Sequence, residues 1–187
     1  MAFLICVCAS ALAFGRLTGG QFRRLRALPI RGAWLVLLAA GAQAVALLLL
    51  PAPARTAGYA SSAALAALFL YRNRGLPGAP LIAAGLGLNA VAVAANGAMP
   101  VSPTAAVRAG VPLDHIAAGR DPAHAVAGYG TALPWLGDVI PVPLPGSPAV
   151  FSVGDCLVAA GLVLLFVAGM HRRDGGDADR HQTAVEH

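Results

Sequence analysis

Long apolar runs constrain this chain more than any other feature. Gly32–Leu50 contains no charged residue, and Gln43 is its only strongly polar side chain. A helix needs about 20 mostly apolar residues to cross a bilayer, so this run has a suitable length. Of the 187 residues, 58% are hydrophobic and 11% are charged, whereas soluble domains carry about 25% charged residues. The composition excludes a disordered chain, a coiled coil and an ordinary water-soluble domain, and it predicts an integral membrane protein.

The apolar runs predict an all-α membrane protein with about five transmembrane helices. The predicted spans are residues 1–14, 32–50, 57–71, 79–98 and 153–170. A structured, Pro- and Gly-rich extracytoplasmic loop, residues 99–152, separates the last two spans. We expect residues 1–170 to form a single transmembrane domain and the polar residues 171–187 to form a disordered cytoplasmic tail. The first run is short, which leaves open whether it spans the membrane fully.

The arginines predict the orientation, because cytoplasmic loops carry an excess of basic residues. Gly15–Arg31 holds five arginines, the Arg72–Pro77 turn holds two, and two more follow His171. A cleaved signal peptide carries its positive charge before the apolar stretch, whereas here the charge follows it, so we expect an uncleaved first helix. The prediction is a multi-pass protein with an external N-terminus and a cytoplasmic C-terminus. The arginines thus mark topology, and we expect no nucleic-acid partner.

The first arginine-rich connector has an apolar repeat of its own. Phe22, Leu25 and Leu28 recur at every third residue among the arginines. This spacing fits a short interfacial helix with its apolar side in lipid and its arginines at anionic head groups. It fits an ordinary charged connector equally well.

Three carboxamides lie within the predicted spans. Gln43 is in the middle of the second span, and Asn89 and Asn96 lie two turns apart on one face of the fourth. Such groups need partners in hydrocarbon, so they either join helices by hydrogen bonds or line a polar pocket. Asn96 also opens the turn into the long loop.

The long loop carries its own signals of local structure. Ser102 followed by Pro103 predicts the start of a short helix that Gly110 ends. Asp114 is a candidate cap for a further turn. The apolar segment Thr131–Leu136 predicts a return toward the membrane, with Trp135 at the interface.

Two carboxylates lie at the predicted outer boundary of the membrane. Asp138 ends the loop segment 136–138, and Asp155 lies at the start of the last span. Two carboxylates that share one proton can activate water, one as base and one as acid. The alternative for Asp155 is a role in the first turn of its helix, with Ser152 as the N-cap. For Asp138 the alternative is capping of a turn.

Metal and redox chemistry have little support in the sequence. The metal-capable residues of the outer loop are Asp114, His115, Asp121, His124 and Asp138. No pair among them has the spacing of a zinc motif, so we expect no metal and no cofactor. The three cysteines lack a Cys-x-x-Cys pair, and we expect them to be inert.

Several short motifs together resemble a known family. They are Gly19-Gly20, Gln43, Asn89, Asn96-Gly97-x-Met99-Pro100-Val101-Ser102, His124, Leu136-Gly137-Asp138 and Phe151-Ser152-Val153-Gly154-Asp155. This set resembles a family of small bacterial integral membrane proteins known only as a domain of unknown function. The resemblance implies the bacterial cytoplasmic (inner) membrane as the location, and it implies no activity.

A second, partial resemblance is to the lipoprotein (type II) signal peptidases, which are membrane aspartic proteases. Asn96-Gly97-Ala98, Asp138-Val139-Ile140 and Val150–Asp155 are similar to three of their motifs, and seventeen residues separate the two aspartates. The resemblance implies a catalytic dyad at the outer boundary. The chain departs from the pattern because no apolar span lies between Asn96 and Asp138, and because their Asn-x-x-Asp-Arg motif is absent.

Three functions remain open at this point, and whether the protein is an enzyme stays undecided. The first is a scaffold or accessory subunit whose outer-face site, residues 96–102 and 136–155, docks a membrane protein partner. The second is an aspartyl hydrolase that uses Asp138 and Asp155 on a peptide or lipid-linked substrate. The third is a small transporter or lipid flippase lined by Gln43 and the two asparagines. The candidate polar pocket comprises Asn89, Asn96, Ser102, His124 and Ser152.

Overall fold

A computed structural model describes residues 2–50 and 52–172 of the chain. This part is mostly helical. The helices are α1 (Ala2–Leu17), α2 (Phe22–Arg26), α3 (Trp34–Leu49), α4 (Ala52–Arg72), α5 (Ala79–Asn96), α6 (Pro103–Ala109), α7 (Asp114–Ala117) and α8 (Val153–His171). The tail predicted for residues 171–187 lies outside the described residues from position 173 onward.

Four short strands and one 3₁₀ turn occupy the segment between α5 and α8. They are β1 (Met99–Val101), β2 (His124–Val126), the 3₁₀ turn Pro134–Leu136, β3 (Ile140–Val142) and β4 (Ala149–Phe151). β1 pairs in parallel with β2, and β3 pairs antiparallel with β4. The expectation that this loop is structured is therefore confirmed.

A helix is present at each of the five predicted spans, but only two of the described helices have the length and apolar composition of a span. Of the described helices, α5 and α8 are long and apolar enough to cross a membrane by length and composition. The segments Ile5–Leu17 and Trp34–Ala46 are apolar but shorter. The third predicted span is part of the longer α4, which starts five residues earlier, at Ala52. The structure thus supports a mostly helical protein with two candidate spans.

Glycines let α5 and α8 pack in close antiparallel contact. A Cβ atom at Gly154 would fall on the carbonyl oxygen of Gly85, and one at Gly78 would fall on the carbonyl oxygen of Gly161. Side chains at these positions would hold the helix backbones apart, so the small residues set the helix separation. Both glycine pairs belong to one interface, because Gly78 and Gly85 are two helical turns apart along one segment and Gly154 and Gly161 are two turns apart along the other.

The remaining helices pack in two places. α3 and α4 form a hairpin, in which Gly58 lies against Ala46 and the Ser62 hydroxyl donates to the carbonyl of Ala39 at 2.9 Å. α1 packs on α8, and Gly15 lies against Met170. The contact between α4 and α5 is sparse, which leaves a groove between the hairpin and the rest of the bundle.

The connector that contains α2 packs its leucines against protein. Leu25 and Leu28 contact the backbone position of Gly169 on α8, and Leu28 is buried in a cluster with Leu70 and Leu76. Phe22 remains exposed. The interfacial interpretation requires these leucines to face lipid. The structure instead packs both of them against other helices.

The loop helices follow the predicted signals in one case and depart from them in the other. Ser102 caps α6, its hydroxyl accepting from the N–H of Ala105 at 3.3 Å, and Gly110 ends the helix in the left-handed conformation. The prediction for Asp114 is wrong, because Leu113 occupies the N-cap position and Asp114 is the first helical residue. The N-cap is the residue just before the first helical residue, and Asp114 is itself the first residue of α7.

We expect Gly154→Ala to destabilise the protein by about 1–3 kcal/mol, the usual cost of overpacking. The new Cβ would overlap the Asn89 side chain and the Gly85 carbonyl. Gly87→Ala is the matched control, since no atom lies within 4 Å of its Cβ position. Thermal unfolding in detergent measures both variants, and equal stability of the two would contradict the close α5–α8 contact.

Candidate functional site

Asp155 is built into the first turn of α8. Ser152 and Asp155 form a capping box: the Asp155 N–H donates to the Ser152 hydroxyl at 2.9 Å, and the Ser152 N–H donates to Asp155 Oδ2 at 3.0 Å. Of the two interpretations that the sequence leaves open for Asp155, the structure shows the structural one directly.

Asn89 of α5 completes this network from the neighbouring helix. Its Nδ2 donates to Asp155 Oδ1 at 2.8 Å, and its Oδ1 accepts from the Ser152 hydroxyl at 2.8 Å. The absence of a side chain at Gly154 makes room for Asn89 at this point. Ser152 is fully buried, and both carboxylate oxygens of Asp155 are engaged as acceptors.

Asp138 reaches the same region from the loop through backbone pairing. Its N–H donates to the carbonyl of Pro100 at 2.8 Å, and its carbonyl accepts from the N–H of Ser102 at 2.9 Å. This parallel bridge lies on the edge of β1 opposite to β2, and it fixes the Asp138 backbone. The alternative role of Asp138 as a turn cap is not what the structure shows.

The Asp138 carboxylate is in an unusual electrostatic setting. The residue is 6% exposed. Burial raises the pKa of Asp138 to about 7, the nearby His124 acts in the opposite direction, and the negative charge of Asp155 adds to the increase. At neutral pH this group therefore exists in both protonation states, as a group that exchanges protons requires.

A histidine lies between Asp138 and a second loop carboxylate. His124 Nε2 is 3.8 Å from Asp138 Oδ2, and His124 Nδ1 is 2.9 Å from Asp121 Oδ2. Partial burial raises the pKa of Asp121, but hydrogen bonds from the N–H of Ala123 and from His124, with the charge of His124, outweigh it and leave that pKa below its usual value. Asp121 thus holds the imidazole with its second nitrogen toward Asp138.

A cavity of about 1230 Å³ connects these groups to the groove between α4 and α5. Asn89, His124, Asp138 and Asp155 line one end of it, which we call the polar end. Its walls are mostly alanine, leucine and glycine of α4 and α5, and the lining residues of α5 extend from Ala79 to Ala94. The cavity therefore follows nearly the whole length of α5.

The candidate pocket residues divide into two groups in the structure. Asn89 and His124 line the cavity, whereas Ser102, Ser152 and Asn96 are not among its described lining residues. Ser102 caps α6, and Ser152 lies buried behind Asp155. Asn96 donates to the carbonyl of Ala132 at 2.9 Å and accepts from its N–H at 2.8 Å, which ties the loop to the end of α5.

Sequence reasoning misses two features of the site. Asp121 does not line the cavity but holds His124, and its spacing of three residues from His124 is the signal that could have suggested a local pair. Tyr59 of α4 has a buried hydroxyl without a hydrogen-bond partner among the described residues, and it lines the cavity with Gln43. Nothing in the alanine-rich sequence around Tyr59 indicates that its hydroxyl is buried in a cavity wall.

The arrangement supports proton transfer more directly than metal binding. Among the described residues, no three His, Cys, Asp or Glu side chains are grouped so that they could hold a metal ion. Asp138 and His124 instead form an acid–base pair that faces a cavity, with Asp121 behind the imidazole and the Asp155 charge nearby. This combination can accept and return a proton at neutral pH.

A sequence model of a family of unknown function, DUF5317, matches residues 27–167. The chain belongs to this family. All the described residues that line the cavity, from Gln43 to Asp155, lie within the matched DUF5317 region. No curated protein and no solved structure matches the chain. The resemblance to signal peptidases stays a prediction.

We expect Ser152→Ala to cost about 2 kcal/mol or more, because it removes an N-cap and also a buried donor to Asn89. Ser102→Ala removes only a cap and should cost about 1 kcal/mol. Unfolding by SDS titration in a mild detergent compares the two. A loss at Ser152 no larger than that at Ser102 would argue against a network that joins the helices.

The raised pKa of Asp138 predicts a pH-dependent stability. Its contribution is fully present below the usual pKa of an aspartate and is lost as pH rises through about 7, since the folded state prefers the protonated acid. The melting temperature should therefore fall between pH 5 and pH 8, and Asp138→Asn should flatten this decline. Asp114→Asn, at an exposed position, is the control. An unchanged decline in Asp138→Asn would contradict the assignment.

Proposed function

We propose that the protein crosses the bacterial cytoplasmic membrane with α1, α3, α4, α5 and α8. Two of these helices have the length and composition of spans, and α1 and α3 are apolar. The arginine-rich connections lie at one end of the helices, and all acids of the described residues lie at the other. By the distribution of basic residues, the polar end of the cavity faces outward, with the N-terminus outside and the C-terminus in the cytoplasm.

We further propose that the protein is a hydrolase that acts on a lipid-linked substrate. One observation carries this proposal: a long apolar cavity ends at a buried carboxylate, Asp138, whose pKa burial raises to about 7. A substrate with a hydrocarbon chain would place the chain along α5 and its polar head beside Asp138 and His124. Lipid-facing grooves between helices are suited to such amphipathic molecules.

The residues suggest how the reaction proceeds. Asp138 as carboxylate takes a proton from water, and the water oxygen attacks the carbonyl carbon of an ester or amide in the head group. When the bond to the leaving group breaks, protonated Asp138 gives the proton to the leaving oxygen or nitrogen. His124, oriented by Asp121, lies beside Asp138 and stabilises its negative charge. Water is thereby added across the bond.

In a symmetric dyad, Asp155 would act on the water together with Asp138. We give Asp155 a different role. Both of its carboxylate oxygens already accept hydrogen bonds, from Asn89 and from the Ser152 N–H. Turning toward a substrate water would break these bonds. We therefore assign Asp155 the role of a fixed charge that raises the proton affinity of Asp138.

The test uses the full chain reconstituted in total polar lipids of a bacterial membrane, in water enriched in oxygen-18. Hydrolysis places the heavy oxygen in a released acid, which mass spectrometry detects. Asp138→Asn should reduce the rate about 10²–10⁴-fold, the usual contribution of a general acid–base. His124→Gln should reduce it less, and Asp114→Asn should leave it unchanged. Label incorporation that is absent, or equal in Asp138→Asn, would contradict the hydrolase and favour the scaffold.

A lipid flippase is the second candidate, because the cavity continues past the polar side chains of Gln43 and Tyr59 to the opposite end of α5. A transport path needs such groups at the middle of the membrane, whereas hydrolysis at the polar end does not. Gln43→Leu should therefore slow the translocation of a fluorescent phospholipid in vesicles if the protein is a flippase. The same variant should retain hydrolysis if the protein is a hydrolase.

A further inference from the structure

The cavity has a cation at the end remote from Asp138. Arg74 and Tyr71 both line it there. The Arg74 guanidinium lies 4.8 Å from the centre of the Tyr71 ring, and its Nη1 donates to the Tyr71 carbonyl at 3.2 Å. The ring and the backbone thus hold an exposed guanidinium beside an apolar groove.

A buried asparagine ties the segment that carries Arg31 to the end of α4, close to Arg72 and Arg74 in the chain. Asn73, which is 4% exposed, accepts from the Arg31 N–H at 2.8 Å and donates to the Arg31 carbonyl at 2.9 Å. This clamp joins the start of α3 to the end of α4. Arg72 also approaches the Gly32 backbone, since a Cβ there would lie 3.5 Å from Arg72 Nη1. We call Arg31, Arg72 and Arg74 the arginine cluster.

The arginine cluster has no neutralising acid within the part of the chain that the structure describes. None of its three members forms an ion pair with a carboxylate of residues 2–50 and 52–172. The four aspartates of that part all lie in the loop or at the start of α8, at the other end of the helices. Positive charge beside an apolar groove is complementary to a molecule that carries an anion on a hydrocarbon chain.

We propose that the arginine cluster binds the phosphate of an anionic phospholipid, whose acyl chains enter the groove between α4 and α5. Guanidinium groups match phosphate oxygens in a bidentate geometry, which favours them for this contact. Ala83 and Leu86 line the same cavity as Arg74, and these apolar walls would receive the chains. This inference rests on the membrane placement proposed above and not on the hydrolytic chemistry.

The experiment measures lipid binding to the purified full chain in detergent by native mass spectrometry and by thermal stabilisation. Phosphatidylglycerol should bind more tightly than phosphatidylcholine, and inorganic phosphate alone should give no stabilisation. Arg74→Gln should weaken phosphatidylglycerol binding about tenfold, as expected for loss of a charge-assisted contact. Arg108→Gln, an exposed arginine of α6, should leave binding unchanged.

A second pair of variants tests the groove. Ala83 lines the cavity, so Ala83→Phe should fill it and weaken phosphatidylglycerol binding. The neighbouring Ala84 is not among the lining residues, so Ala84→Phe should leave this binding unchanged. Equal binding of the two lipids, equal stabilisation by free phosphate, or normal binding by Arg74→Gln would overturn the proposal. If Arg74→Gln does not fold, Arg74→Lys keeps the charge without the bidentate geometry and should still bind more weakly. Lipid binding is measured without turnover, so this result stands apart from the fate of the hydrolase.

Discussion

The close approach of α5 and α8 is the contact on which the rest of the structure depends. Without side chains at Gly85 and Gly154, the two backbones come near enough for Asn89 to reach across to the capping box of α8. Hydrogen bonds between packed helices fix geometry, because a buried polar group without a partner is costly. A packing feature thus determines where the charge of Asp155 lies relative to Asp138.

Much of the helical framework could be predicted from the sequence. The apolar runs gave the positions of five helices, and the pair Ser102-Pro103 with Gly110 gave the bounds of α6. These are local features, in which the residues that encode an element also lie in it. The capping alternative for Asp155 was likewise readable, because its partner Ser152 is only three residues away.

The assembly of the site could not be read in the same way. His124 meets Asp138 because β2 and the Asp138 backbone both pair with β1, and these pairings join residues far apart in the chain. Asn89 and Asn96 have the same residue type and lie on one predicted face, yet one joins two helices and the other binds loop backbone. Which partner each asparagine finds depends on how α5 packs against α8 and against the loop.

Asn96 has a consequence for the mechanics of the loop. Its carboxamide accepts from the N–H of Ala132 and donates to the C=O of Ala132, as the backbone of an adjacent strand would. A single side chain therefore acts as a one-residue edge strand at the end of α5. Neither aspartate nor leucine offers this pair of groups, and glutamine would hold them one carbon further out. The segment that leads to Asp138 is thus anchored to the helix end, so a tilt of α5 carries that part of the loop with it.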